Sequence, residues 1–503
     1  MADLLVRGGT IVTADRIFHG DVLVRDGRIW AVIERVADHQ DAGAGDDGSG
    51  GDGAAEGGLS GRGEPGPRGD RFDERRASSG SAEPRPGADG LRRQLDGADV
   101  IDATGLYVLP GLVDVHVHFR EPGLTHKEDF LSGTAAAACG GVTTVLDMPN
   151  TKPPVATAAA LLAKAQQVAG RAYVDYGLYG AVTEDNLAEL PAMAEAGAVA
   201  FKLFLGPTTG DIRAPGWGRL MEVFAAVRET GLPLAVHAED RDVIEYWQAR
   251  RAAEATDYRG FLETRPPFGE LAATQNVALL AQRAGTPVHI AHVTLAEAVD
   301  LIREAKERGA PITAETCPPY LLLTADDCQR LGPVSKVLPP IRERLDQEML
   351  WQGLHEGVLD CIATDHAPHL DEEKQGKAWL QAPGGMIGVE TLLPSLLTQV
   401  RRGRLTLQQL VAWTSRRPAE IFGLGRRKGD IRPGFDADLA IVDLDAAWTV
   451  RAEDLHSKGK NSPFIGASLQ GKVVHTIVRG HVVVRNGQLT GPPRGGWLQG
   501  QPR

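Results

Sequence analysis

GLVDVHVHF, residues 111–119, is an apolar run interrupted by Asp114, His116 and His118. Seven more runs of the same kind follow: GVTTVLDMPN (141–150), VDYGLYGAV (174–182), AVAFKLFLG (198–206), LPLAVHAED (232–240), PVHIAHV (287–293), PITAETCP (311–318) and VLDCIATDHAP (358–368). Between most of them lie stretches rich in Ala, Leu, Glu and Gln, such as LAEAVDLIREAKERGA at 295–310. Short apolar strands alternating with amphipathic helices, repeated eight times, predict a (β/α)8 barrel of the TIM type. A doubly wound open sheet is the competitor, but no G-x-G-x-x-G follows the first strand.

The chain ends read differently. LLVRGGTIVT (4–13) and DVLVRDGRIWAVI (21–33), with Asp26-Gly27 as a turn, are strand-like, and so are DADLAIVDLD (436–445) and KVVHTIVRGHVVVRNGQL (472–489), with Asn486-Gly487. The similarity predicts that both ends pair into one small β-sandwich domain around an inserted barrel. The expected boundaries are 1–37 with 99–109 for its first part, 110–424 for the barrel, 425–490 for its second part and 491–503 for a flexible, Gly- and Pro-rich tail. Residues 38–98 are dominated by Gly, Asp, Arg, Ser, Ala and Pro, which bury too little apolar surface to offset ordering entropy; a disordered insertion is expected.

The totals exclude several classes. A net charge of -12 over 503 residues argues against a nucleic-acid groove, which needs a basic face. Four scattered cysteines, without a C-x-x-C pair, fit a reducing compartment better than a disulfide framework. No apolar run approaches the roughly 20 residues of a membrane span, and the N-terminus lacks signal-peptide character, so a cytoplasmic protein without membrane partners is expected.

Barrels of this type carry their reactive groups at the C-terminal ends of the strands. His116 and His118 end strand one, Lys202 lies in strand four, His237 ends strand five, His292 strand six and Asp365 strand eight. Strand alternation puts His116 and His118 on one face, near enough to share an ion. Imidazole and carboxylate suit Zn²⁺ or a related divalent metal, and the surplus over the three ligands of one catalytic zinc suggests two. Each residue has a plainer explanation: a hydrogen-bonded core histidine, a chance His-x-His, a lysine snorkelling from the sheet margin. Together these would require five strands to place such residues at one end by coincidence.

DVHVHFREPGLTHKEDF (114–130) resembles the signature of dihydroorotases of the amidohydrolase superfamily. The resemblance continues through MPNT (148–151), FKLFLG (201–206), VHAE (236–239), HIAHV (289–293) and TDHAPH (364–369), in order, and covers the whole barrel and both flanking segments. It implies two divalent ions, most simply Zn²⁺, one held by His116, His118 and Asp365 and the other by His237 and His292, bridged by a CO₂-derived carbamate on Lys202. It also implies reversible hydrolysis of (S)-dihydroorotate to N-carbamoyl-L-aspartate in pyrimidine biosynthesis, by a metal-activated hydroxide with Asp365 as general acid and base. A small-molecule substrate and a homo-oligomer, dimer or tetramer, are the expected partners.

Allantoinases and dihydropyrimidinases (hydantoinases) are close relatives of that family. Arg120, Asn150 and His369 match the positions with which dihydroorotases hold the free carboxylate of their substrate, and paired guanidinium N–H groups suit that task. The stretch Glu315–Tyr320, the region 265–270 and SKGKNSPFIG (457–466) lean instead toward hydantoinases and allantoinases. Thr208 and Thr209, in the loop after strand four, are candidates for touching substrate.

Overall fold

The computed structural model describes residues 3–35, 97–210 and 212–501. All eight barrel runs form strands: β6 (Leu112–Val117), β7 (Val142–Asp147), β8 (Asp175–Val182), β9 (Ala200–Phe204), β10 (Leu234–His237), β11 (Val288–Ile290), β12 (Ile312–Thr316) and β13 (Cys361–Ile362). They pair in parallel, each with its sequence neighbour, and helices such as Phe130–Cys139, Leu220–Thr230 and Ala296–Glu307 cross between them. Burial of nearly every strand residue explains why these strands read as apolar runs. The circle closes between β6 and the segment after β13, where the His118 N–H donates to His366 O at 2.8 Å. Asp114 reinforces that seam by accepting from the Thr364 N–H at 3.0 Å and the Thr364 hydroxyl at 2.5 Å. The (β/α)8 reading therefore holds.

The chain ends join as expected. Strands β1 (Leu4–Val12), β2 (Ile17–Arg25), β3 (Arg28–Glu34), β4 (Asp99–Asp102) and β5 (Tyr107–Pro110) come from one end, and β14 (Leu439–Thr449), β15 (Ser468–Val478), β16 (His481–Arg485) and β17 (Gln488–Leu489) from the other. They form a separate mixed sheet in the order β17-β16-β15-β14-β5-β1-β2-β3, with β4 against β1. The join is β5 antiparallel to β14, where Pro110 faces Leu439 and Tyr107 faces Val442. Leu4, Val6, Ile11, Val22, Ile101, Val108, Leu439, Ile441 and Ile477 form its own core.

The tail departs from expectation. Trp497–Leu498 forms β18, parallel to β8, and Leu498 is buried. Gly495 and Gly500 let it lie directly on the backbone: a Cβ would stand 1.9 Å from Val174 O and 2.1 Å from Ala198 O respectively. Composition flagged this stretch as loose, yet its small residues serve close contact. The segment expected to be disordered lies, up to residue 96, outside the described residues. No helix among the described residues is long and apolar enough to cross a membrane.

Candidate metal centre

The six residues picked out as ligands come together at the C-terminal ends of the barrel strands, all nearly or fully buried. His118 Nε2 lies 3.1 Å and His116 Nε2 3.4 Å from Asp365 Oδ1. His237 Nδ1 lies 2.9 Å from His292 Nε2, and Lys202 Nζ lies 3.4 Å from His116 Nε2.

The outward ring nitrogens decide what the inward ones offer. His116 Nδ1–H donates to Glu315 Oε1 at 2.5 Å, His118 Nδ1–H to Asn150 Oδ1 at 2.7 Å and His237 Nε2–H to Glu239 Oε2 at 3.0 Å. With those protons committed outward, His116 Nε2, His118 Nε2 and Asp365 Oδ1 converge as acceptors, an arrangement that suits a cation among them. His292 Nδ1 is buried without a hydrogen-bond partner among the described residues. The donor set therefore fits divalent metal.

Electrostatics agree. Burial lowers His118 to about 3, against the pull of Asp365, and lowers His237 and His292 as well, so these imidazoles are neutral. Lys202, fully buried, is brought down to about 8 by desolvation, against Glu315 and Asp365. Arg120, His292 and Asp365 have φ of 61°, 40° and 48°, a left-handed backbone that costs about 1–3 kcal/mol at each such residue and concentrates at working sites.

Two acids outside the expected set hold the histidines. Glu315, on β12, reaches His116 with one oxygen and His289 Nε2 with the other at 3.1 Å. Glu239 is gripped by Arg265 at 2.7 and 3.2 Å while it holds His237. The signal for Glu315 in the sequence was an acid in the middle of an apolar strand run, the same signal that exposed the ligands.

The carboxylate trio divides. Arg120 lines a narrow cavity of about 20 Å³ together with His118, Asn150, Thr208, Thr209 and Asp365. Asn150 is doubly engaged, accepting from His118 and donating to Thr209 O at 2.9 Å. His369 sits against Arg120. Lys127 Nζ donates to its Nδ1 at 3.2 Å, which leaves the ring proton on Nε2 to donate to Gly384 O at 3.1 Å. The Arg120 Nη2 contact with that Nε2, at 3.3 Å, then joins two donors. Arg120 is 2% exposed; it donates to Pro368 O at 3.2 Å, and among the described residues no carboxylate lies within ion-pair distance of it.

A second cavity of about 260 Å³ adjoins the first, sharing Thr208, Thr209, Leu338 and Gly384, and is lined further by Gln248, Phe261, Arg265 and Lys336.

Known proteins resemble this one along most of its length. An allantoinase from Rubrobacter xylanophilus is 40% identical over 406 residues, covering 80% of this chain and 89% of that protein. A dihydroorotase from Trichlorobacter lovleyi is 39% identical over 401 residues, covering 77% and 89%. The solved structure of the L-hydantoinase (dihydropyrimidinase) from Arthrobacter aurescens matches with a TM-score of 0.84 at 32% identity, covering 99% of this chain and 100% of that one. The model of the amidohydrolase family matches residues 107–483, from β5 through the barrel to β16. With its metal-ready histidines at the strand ends of a matching barrel, the chain belongs to the amidohydrolase family.

Proposed function

We propose that this chain opens and closes a cyclic amide, and that its substrate is (S)-dihydroorotate, hydrolysed reversibly to N-carbamoyl-L-aspartate in pyrimidine biosynthesis. The observation that carries the substrate is Arg120, a buried guanidinium facing the site with no carboxylate in ion-pair distance among the described residues. A buried charge is normally paired, and a substrate carboxylate supplies the missing partner through two N–H groups.

His116, His118 and Asp365 would hold one divalent ion, His237 and His292 a second, with Lys202 as a carbamate between them; the nitrogen and oxygen donors suit zinc. When bound, the ions polarise the ring carbonyl and acidify water. Asp365 Oδ1 takes the proton from the attacking water and returns it to the departing ring nitrogen. Asn150 orients His118, and His369, its tautomer fixed by Lys127, backs Arg120. Lys202, brought down to about 8 by burial, offers a larger fraction of the neutral amine that CO₂ requires than an exposed lysine does. We place this hydrolase domain at 110–424, between the halves of the small β domain, in a cytoplasmic homo-oligomer.

A second reading, a hydantoin or allantoin hydrolase, draws on the 40% identity to an allantoinase and on the adjoining cavity, which has room for a ring substituent. Turnover of dihydroorotate, allantoin and dihydrouracil by parent and Arg120→Ala separates the two. Dihydroorotate turned over by the parent and lost selectively in the variant supports the first. Allantoin turnover without dihydroorotate turnover overturns it.

A further inference from the structure

Cys139, His456 and Glu390 form a second cluster that shares no residue with the centre at the strand ends. Cys139 is the last residue of the helix Phe130–Cys139, Glu390 precedes the helix Leu392–Arg401, and His456 lies between β14 and β15. Cys139 Sγ stands 3.7 Å from His456 Nε2. On the other side of the ring, His456 Nδ1–H donates to Glu390 Oε1 at 2.8 Å, and the His456 backbone N–H donates to Glu390 Oε2, also at 2.8 Å. One ligand atom from each residue lies within 4.8 Å of the others. The cluster is half-open: the His456 side chain is 34% exposed and that of Glu390 13%.

We propose that Cys139 and His456 bind one soft or borderline divalent cation, of the zinc or cobalt kind, with Glu390 orienting the imidazole. Bonds of about 2.3 Å to sulfur and about 2.0–2.1 Å to nitrogen, at a tetrahedral angle, separate the two ligand atoms by about 3.6 Å, close to the spacing found here. Glu390 fixes the proton on Nδ1 and so turns the Nε2 lone pair toward the sulfur, the carboxylate–histidine–metal pattern. Water completes the shell. The Cys139 thiol proton passes to solvent as the metal–sulfur bond forms.

The ion would tie the end of the first barrel helix to the segment that continues into Ser457–Asn461. That segment reaches the substrate side: Asn461 Nδ2 donates to His369 O at 2.9 Å, and Gly459 packs so closely that a Cβ there would lie 2.2 Å from His369 O. A cation at Cys139 thus braces the loop that holds His369.

Cobalt(II) provides the test, because the strand-end centre offers nitrogen and oxygen donors and no thiolate. Titration of the purified protein, with its strand-end centre already loaded with zinc, should give a near-ultraviolet thiolate-to-cobalt charge-transfer band that saturates at one further equivalent. The band should vanish in Cys139→Ser and fall in cobalt affinity at least tenfold in His456→Asn, with Cys361→Ser unchanged; cobalt-free melting temperatures of the variants check that each is folded. Absence of the band, its survival in Cys139→Ser, or indifference to His456→Asn in folded protein overturns the proposal.

Discussion

Replacing Glu315 and Glu239 by glutamine, one at a time, tests whether these carboxylates act as paired outer supports of the histidines. Both glutamines keep the side-chain length and one acceptor oxygen, so the change is chiefly one of charge. Each acid holds a ligand imidazole, Glu315 at His116 and Glu239 at His237, and loss of such support typically weakens metal binding about 10–100-fold, or about 1.4–2.8 kcal/mol. The stability costs differ. Glu315 bonds two imidazoles, so Glu315→Gln should lose a hydrogen-bond increment of about 1–3 kcal/mol. Glu239→Gln also removes the charge that pairs with the Arg265 guanidinium, whose side chain is 5% exposed and which otherwise donates to Pro207 O at 2.9 Å, and breaking a buried ion pair costs about 3–5 kcal/mol. Metal retained after dialysis against a graded chelator should fall alike in both variants. Urea unfolding of the metal-depleted proteins should find Glu239→Gln about 2 kcal/mol less stable than Glu315→Gln. Parent-like metal retention in either variant, or equal stability of the two, refutes the reasoning.

Asp365→Asn should lower turnover about 10²–10⁴-fold, read under saturating metal, since the proton acceptor is gone. Lys202→Ala should lose bound metal and activity together, and a short-chain carboxylic acid added to the assay should restore part of both. Burial raises Glu270 from 4.5 to about 7, against Arg342 and Thr294, so its contribution to stability is complete below pH 4.5 and is lost as pH rises through 7. Glu270→Gln should therefore flatten the stability profile between those limits, removing a slope of up to about 3 kcal/mol in denaturant unfolding. Leu498→Ala should destabilise by about 2–5 kcal/mol in the same measurement, where a loose tail would leave stability untouched.

The barrel was legible because strands buried on both faces must be apolar, so polar exceptions such as His116, Lys202 and Asp365 stand out against them. The joining of the chain ends was legible from strand alternation and the Asp26-Gly27 and Asn486-Gly487 turns. The pairing of Glu315 with His116 was not, because it spans two strands far apart in sequence and depends on how the barrel closes. Asn150 matched a motif as a substrate contact, while its amide is already committed to His118 and Thr209, which a motif cannot express. For Trp497–Leu498, a glycine-rich composition concealed close backbone packing, since small residues signal either looseness or contact.

The antiparallel join of β5 to β14 has a consequence for synthesis of the chain. The strands made first wait, with one edge of β5 open, until nearly the whole polypeptide has left the ribosome. A product released early, before Leu439, carries most of the barrel sequence beside an unpaired strand edge. Such a fragment should be lost to aggregation and quality control before it can be judged as an enzyme.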